Sequence, residues 1–377
     1  MKFSVRKEIF AHACSVVAKA LTPNNTQPLL SCIYITADSG VLELQATNLI
    51  TYIKTSIPAH VEDPGEVVVS GKIMLDIMKV LPDAALTLTS TPSQTTLVCD
   101  RSSYKLNVLN AQDYQEFIFP DYDVESSVEL PHKLVKSMVE RVYKATSKDE
   151  SRPILKGISL TVDNNVVRMV ASDTFRVAVC DTHTETSALT ERFELIVPGS
   201  SFYDFLSLVD GEESVYIATA KGQIVLKSGT TSYLTRGIEG TFIDYTKLLP
   251  AEYSVTVELA TDDFTGSIRR VSPMSRAAGS TQRAPIVYFK FDPEGGLLTI
   301  SSGNTDQGIA TETLDAAITG EEIDISFNSQ TFSEGLSSIN EKTLHFEIGT
   351  LRARHVGLIK SSGEINYLYL IMPNIQR

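Results

Sequence analysis

The sequence predicts an α+β chain made of three copies of one module, each with two helices packed on antiparallel sheets. Three observations lead there. Landmarks recur in a fixed order with a period of roughly 125–130 residues, far longer than a solenoid turn. The hairpin segments alternate with period two, and the helical segments carry a single apolar stripe. At 377 residues the chain is also too long for one ordinary core.

The first landmark is a short strand running into an amphipathic helix: FSVRKEIFAHACSVVAKAL from Phe3, VELPHKLVKSMVERVYKAT from Val128 and VELATDDFTGSIRRVSPMS from Val257. In the second copy Leu134, Val135, Met138, Val139 and Val142 fall on one side at 3.6 residues per turn. Lys133, Lys136, Glu140 and Lys144 fall on the other, and Pro131 suits the first helical position. The second landmark is a proline entering a hairpin, at Pro28, Pro153 and Pro285. There Ile33/Ile35, Ile158/Leu160/Val162 and Val287/Phe289/Phe291 mark strands with one buried face. Ser39-Gly40, Asn164-Asn165 and Gly295-Gly296 stand where the chain must reverse. The third is a strand, a loop and a second helix, beginning at Val67, Leu195 and Ile325. Polar, proline-bearing connectors near 120–127 and 246–256 set the expected domains at 1–125, 126–250 and 251–377.

Composition excludes several classes. No apolar run reaches the length of a membrane span, and MKFSVRKEIF turns polar too early for a signal peptide, so a cytoplasmic protein without membrane attachment is expected. Cys14, Cys32, Cys99 and Cys180 are widely spaced in apolar stretches, which reads as buried reduced thiols; with scattered histidines, no metal and no cofactor are expected. There is no GxSxG, GxxxxGK[ST], HExxH or GxGxxG after a strand, so an enzyme is not expected. An extracellular array of sandwiches fits poorly with two helices per module.

The net charge of −13 speaks against nucleic acid at first sight. Its distribution is less hostile. The six expected helices (3–21, 72–81, 131–148, 199–209, 261–283 and 329–339) together carry about +7, leaving about −20 elsewhere. Lysine-rich wet faces also arise purely for solubility. If these helices shared one surface, it would attract phosphate without reading bases. Helix geometry picks Lys133, Lys136, Lys144, Lys148, Arg269 and Arg270 as DNA-facing.

The segments MKF at the start, ASDTFRVAVC (171–180), FIDY (242–245), SFN (326–328) and YLIMP (369–373) resemble the beta subunit of bacterial DNA polymerase III, the beta sliding clamp, over essentially the whole length. The resemblance implies a head-to-tail homodimer, a ring lined by helices around duplex DNA, that tethers replicative and repair polymerases. Implied partners are the DNA polymerase III alpha subunit, the clamp loader delta subunit and other polymerases and repair proteins. It also implies a pocket for their peptides between the second and third modules. Matching positions are Arg152, Leu155, Ser172, Thr174, Arg176, Val177, Ile243, Lys247, Leu248, Asn328, Leu370, Met372 and Pro373. The chain departs from the family pattern at Thr174-Phe175 (commonly Gly-His), Ile243 (proline), Thr331 (tyrosine) and Asn374 (methionine), with a tail running on to Arg377. On the DNA side Asn24, Asp149 and Pro153-Ile154 also depart, so named DNA contacts do not carry over.

Overall fold

The computed structural model describes residues 1–22, 27–184, 192–209, 211–277, 285–304 and 308–374. Among these, six α-helices are present: α1 Lys7–Val17, α2 Gly71–Val80, α3 His132–Val142, α4 Gly199–Leu208, α5 Thr261–Ala277 and α6 Ser329–Leu336. Asn24, residues 278–283 of the expected fifth helix and the tail 375–377 lie outside the described residues.

The chain forms two compact units. One comprises Met1–Lys133 with Asp204–Gly237, the other Leu134–Tyr203 with Ile238–Arg377. In the first unit a five-stranded sheet runs in the order His60–Asp63, Lys2–Arg6, Ala85–Ser90, Gln94–Cys99, Ser102–Asn107. Its eight-stranded sheet runs Ser126–Pro131, Ser214–Ala220, Gln223–Ser228, Thr231–Arg236, Thr51–Pro58, Val41–Thr47, Cys32–Asp38, Gly65–Ser70. The second unit holds a nine-stranded sheet, Phe193–Pro198, Gly157–Asp163, Val166–Ser172, Arg176–His183, Asn366–Ile371, Arg354–Ser361, Thr343–Leu351, Tyr253–Ala260, Ile318–Gly320. A four-stranded sheet, Gly308–Asp315, Leu297–Asn304, Ile286–Asp292, Ile323–Asn328, completes it.

Local sequence explains the elements. Ser39 and Gly40 take φ of 48° and 82°, and Asn164 and Asn165 take 48° and 61°, the left-handed pair that a two-residue hairpin needs. Ser70 caps α2 by accepting from Ile73 N–H, and Asn328 caps α6 by accepting from Gln330 and Thr331 N–H. The alternating hairpin residues are all buried, and in the third copy Phe289 packs with Phe264, Phe327, Phe332 and Phe346. All four cysteines are free and buried.

Two expectations need adjusting. Pro131 closes the strand Ser126–Pro131, pairing with Ser214, and the helix starts one residue later. A proline fits that strand end because its missing N–H costs the ladder little there. Four of the helices, those expected at 3–21, 131–148, 199–209 and 329–339, are also shorter than expected. Within their observed bounds nine Lys and Arg face seven Asp and Glu, which is only +2 (9 − 7). Much of the surplus sits in flanking turns, at Lys19, Lys144 and Lys148, so the helices proper are barely basic.

Candidate functional site

The loop Asp173–Phe175 joins two central strands of the nine-stranded sheet and is locked by its own side chains. Ser172 Oγ donates to Arg176 carbonyl at 2.8 Å and accepts from Thr174 N–H at 3.3 Å. Asp173 Oδ1 accepts from the N–H groups of Phe175 and Arg176 at 3.0 and 3.1 Å. The first unit repeats this scheme: Thr47 Oγ1 donates to Thr51 carbonyl and accepts from Leu49 N–H, while Asn48 Oδ1 accepts from Ile50 and Thr51 N–H. Both loops hold a non-glycine residue at positive φ, Leu49 at 74° and Thr174 at 80°. Phe175 is 69% exposed.

Arg176 points inward, only 8% exposed. It pairs with Asp173 at 2.9 Å and with Glu334 of α6, and donates to Lys144 carbonyl at 2.5 Å and to Tyr369 hydroxyl at 3.3 Å. Burial works against its charge, but Tyr369, Glu334 and Asp173 outweigh that and hold the guanidinium above its ordinary pKa. Of the residues matched to a peptide pocket, Arg176 is therefore a strut that fixes the loop against α6. Ser172 likewise spends its hydroxyl within the loop.

Two surfaces flank this loop. A polar cleft of about 800 Å³ is lined by Arg152, Lys148, Thr174, Phe175, Asn328 and Thr331, among others. Arg152 is exposed and lies 3.7 Å from Asp149. The second surface is an apolar cluster floored by buried Val170, Val177, Val179, Val356, Leu358 and Leu370. Ile243, Leu248 and Met372 cover it, each only partly buried, as do Phe242, Tyr245 and Leu249. Met372 N–H donates to Phe175 carbonyl at 2.8 Å and Asn374 N–H to Ser326 carbonyl at 2.7 Å, which ties the segment around Pro373 to the loop. Lys247 is exposed and pairs with Asp244 at 3.1 Å. Leu155 is buried in the turn Pro153–Lys156, and its neighbours Arg152 and Lys156 line the polar cleft. Glu334, Tyr369 and Phe242 are the site residues sequence reasoning missed. Phe242 and Tyr369 each carried a signal, as the first residues of FIDY and YLIMP, and Glu334 carried none.

The cationic candidates divide. Lys133 and Lys148 are exposed, Lys136 is half-buried, and Lys144 donates to Ser337 Oγ at 2.8 Å. Arg269 is exposed and lines a groove of about 400 Å³ between α5 and α6, with Thr265, Ser272 and Ser333. Arg270, by contrast, is clamped by Glu312 through two hydrogen bonds of 2.9 Å, which neutralises it.

Three family models match the chain in order: the N-terminal domain of the DNA polymerase III beta subunit over residues 1–118, its central domain over 129–244 and its C-terminal domain over 246–375. This chain belongs to the beta sliding clamp family. The beta sliding clamp of Staphylococcus aureus is 26% identical over 385 aligned positions, covering 99% of both chains. Among solved structures, the Bacillus subtilis sliding clamp superposes with a TM-score of 0.91 at 23% identity, and the Streptococcus pyogenes beta subunit with 0.88 at 26%, each covering 100% of both chains. Sliding clamps are processivity factors in DNA replication and not enzymes, and the clamp fold is the expected set of three α+β domains. No helix among the described residues is long and apolar enough to cross a membrane.

Proposed function

We propose that two copies of this clamp close head to tail around duplex DNA, and that partners dock a short peptide against the apolar cluster and cleft beside the Asp173–Phe175 loop. The observation that carries ring closure is a repeated strand pairing. Thr51–Pro58 pairs with Thr231–Arg236, and Arg176–His183 pairs with Asn366–Ile371, both antiparallel. In the repeat, Gly308–Asp315 occupies the place of Thr51–Pro58 and Arg176–His183, and Ser102–Asn107 that of Thr231–Arg236 and Asn366–Ile371. Each is the edge strand of its sheet. One donor edge and one acceptor edge support a heterologous contact with a second copy, which closes when the rotation is right. We adopt module boundaries at 1–125, 126–250 and 251–377, which put the corresponding strands Lys2–Arg6, Ser126–Pro131 and Tyr253–Ala260 at or near the head of each copy.

A topological link makes strong DNA binding unnecessary, so an acidic chain can serve. Lys133, Lys136, Lys148 and Arg269 are the side chains we assign to phosphate contact; Lys144 shares its ammonium with Ser337, and Arg270 is held by Glu312. For the peptide, Ile243, Leu248, Met372 and Pro373 offer apolar contact, while Asn328, Arg152 and Thr174 offer polar contact. Docking segments from the DNA polymerase III alpha subunit, the clamp loader delta subunit and other polymerases and repair proteins are the proposed ligands. The cytoplasm, where DNA is replicated, is the proposed location. The experiment loads the clamp on nicked-circular and on linear DNA. Retention on circles with rapid loss from linear ends is expected, and equal lifetimes on both would defeat the reading.

A further inference from the structure

The two units carry the same slot on the same strands, filled in one and open in the other. Cys32–Asp38 and Gly157–Asp163 are equivalent: Tyr34 pairs with Gln45 and Val68, and Ser159 pairs with Val170 and Ile196. In the first unit the chain from Asn107 to Phe119 is longer than its counterpart from Arg236 to Phe242, and the extra length holds the 3-10 turn Ala111–Phe117. That turn lays Tyr114, fully buried, on Tyr34 with ring centroids 5.1 Å apart and planes at 13°; Phe117 closes the far side at 5.8 Å. In the second unit the turn is missing from the sequence, and serine stands where Tyr34 does. What remains there is a groove of about 470 Å³, with Ser159 and Thr161 on one wall, Arg168 and Val170 beside them, and Phe242 and Tyr245 of the connector opposite.

We propose that this groove is a second docking site, which receives an aromatic side chain, tyrosine above all, from a peptide segment of a partner protein. The occupant is argued from the first unit, where the chain supplies such a residue to the equivalent seat from its own connector. The lining suits a phenol better than an aliphatic anchor. Ser159 and Thr161 offer hydroxyls, and Phe242 and Tyr245 offer rings to stack against. Arg168 Nε is buried with no hydrogen-bond partner, the nearest carboxylate being Asp181 at 3.6 Å, and its guanidinium can lie over a ring face. The groove shares Val170, Phe242, Ile243 and Tyr245 with the apolar cluster, so one segment could occupy both; the aromatic seat does not depend on that.

The chain contains no tryptophan, which supplies a clean probe. A synthetic peptide of residues 108–119 carrying Tyr114→Trp is titrated with the intact clamp, and its emission and anisotropy are followed. Saturable binding with a blue-shifted emission is expected. Ser159→Tyr, which fills the slot as the first unit does, and Thr161→Arg, a second route should the first variant fold poorly, should each weaken binding about tenfold or more, as loss of a buried aromatic anchor does. Met372→Asp, on the apolar cluster, should change it by less than about twofold, since contacts outside an anchor's pocket are near neutral. A flat titration, parental affinity in both slot variants, or loss with Met372→Asp alone would each overturn the proposal. Only the last of these would point to the cleft beside Met372, so failure here is distinct from failure of the clamp reading.

Discussion

At the scale of the residue, the loop beside the cleft stores strain at one position. Thr174 is β-branched and sits at φ 80°, a conformation that costs an L-residue roughly 1–2 kcal/mol and costs glycine nothing sterically. Thr174→Gly should therefore raise stability by about 0.5–1 kcal/mol after glycine's larger loss of chain freedom is subtracted. Thermal unfolding checks it, and an unchanged or lower Tm would mean the threonine side chain makes compensating contacts. Arg176 is the loop's other fixed point. Its fork reaches two carboxylates, a carbonyl and a phenol at once, which an ammonium cannot reproduce. Arg176→Lys is expected to keep the dimer yet lower partner-peptide affinity about tenfold by loosening the lip, a loss typical of a disturbed hot spot. Calorimetry with a clamp-binding peptide, beside sedimentation, separates the two effects. The sequence placed Arg176 at this site through ASDTFRVAVC, but could not show it facing inward, because its partner Glu334 lies far along the chain.

At the scale of the element, α3 shows where periodicity succeeds and where it fails. Val135, Met138, Val139 and Val142 are all buried, as the apolar stripe requires. Arg141 is buried too, at 6% exposure, and no spacing rule anticipates it. The reason is long-range: its guanidinium meets Glu341 at 2.9 Å and the carbonyl of Ile365 at 3.3 Å. Glu341 accepts from Ser361 as well, and although burial opposes its charge, Arg141 and these hydrogen bonds hold its pKa below the ordinary glutamate value. A depressed carboxylate stabilises the fold above its unfolded pKa of about 4.3 and stops doing so as pH falls through the folded value. Glu341→Gln should thus cost about 3 kcal/mol at neutral pH, since it leaves Arg141 buried and unpaired. The gap to the parent should begin to narrow below about pH 4.3, where the unfolded chain's carboxyl takes up its proton, and should close as pH falls through the lower folded value. Denaturant melts at both pH values test this, and a gap of constant size would assign the loss to packing. The same limit explains why the helix charge count misled. Arg141 and Arg270 belong to ion pairs that only the fold reveals.

At the scale of the whole molecule, triplication was legible because it is written in the chain as repeated landmarks, and the strand pairings then show what the repeats are for. Every module has one strand edge to lend and one to accept, and only the second uses both within the chain, so a chain of three leaves two edges unused. Those edges carry the mark of an interface that composition hides: Ile309 on Gly308–Asp315 is 64% exposed, an unusual place for a large apolar residue on an edge strand. The other edge, Ser102–Asn107, presents Tyr104 and Leu106 half-buried along one face. If a second copy covers these edges, Ile309→Asp introduces a charge that must be desolvated twice in each ring while leaving the isolated chain almost untouched. We expect sedimentation to shift from dimer toward monomer, with Tm at low protein concentration changed by little, because an exposed substitution alters fold stability by no more than about 0.5 kcal/mol. Loaded on circular DNA, the variant should fall off nearly as fast as the parent leaves linear DNA, since retention by a closed ring cannot survive an open seam. A variant that stayed dimeric and stayed on circles would place the contact between copies elsewhere, and the exposed isoleucine would then need another partner.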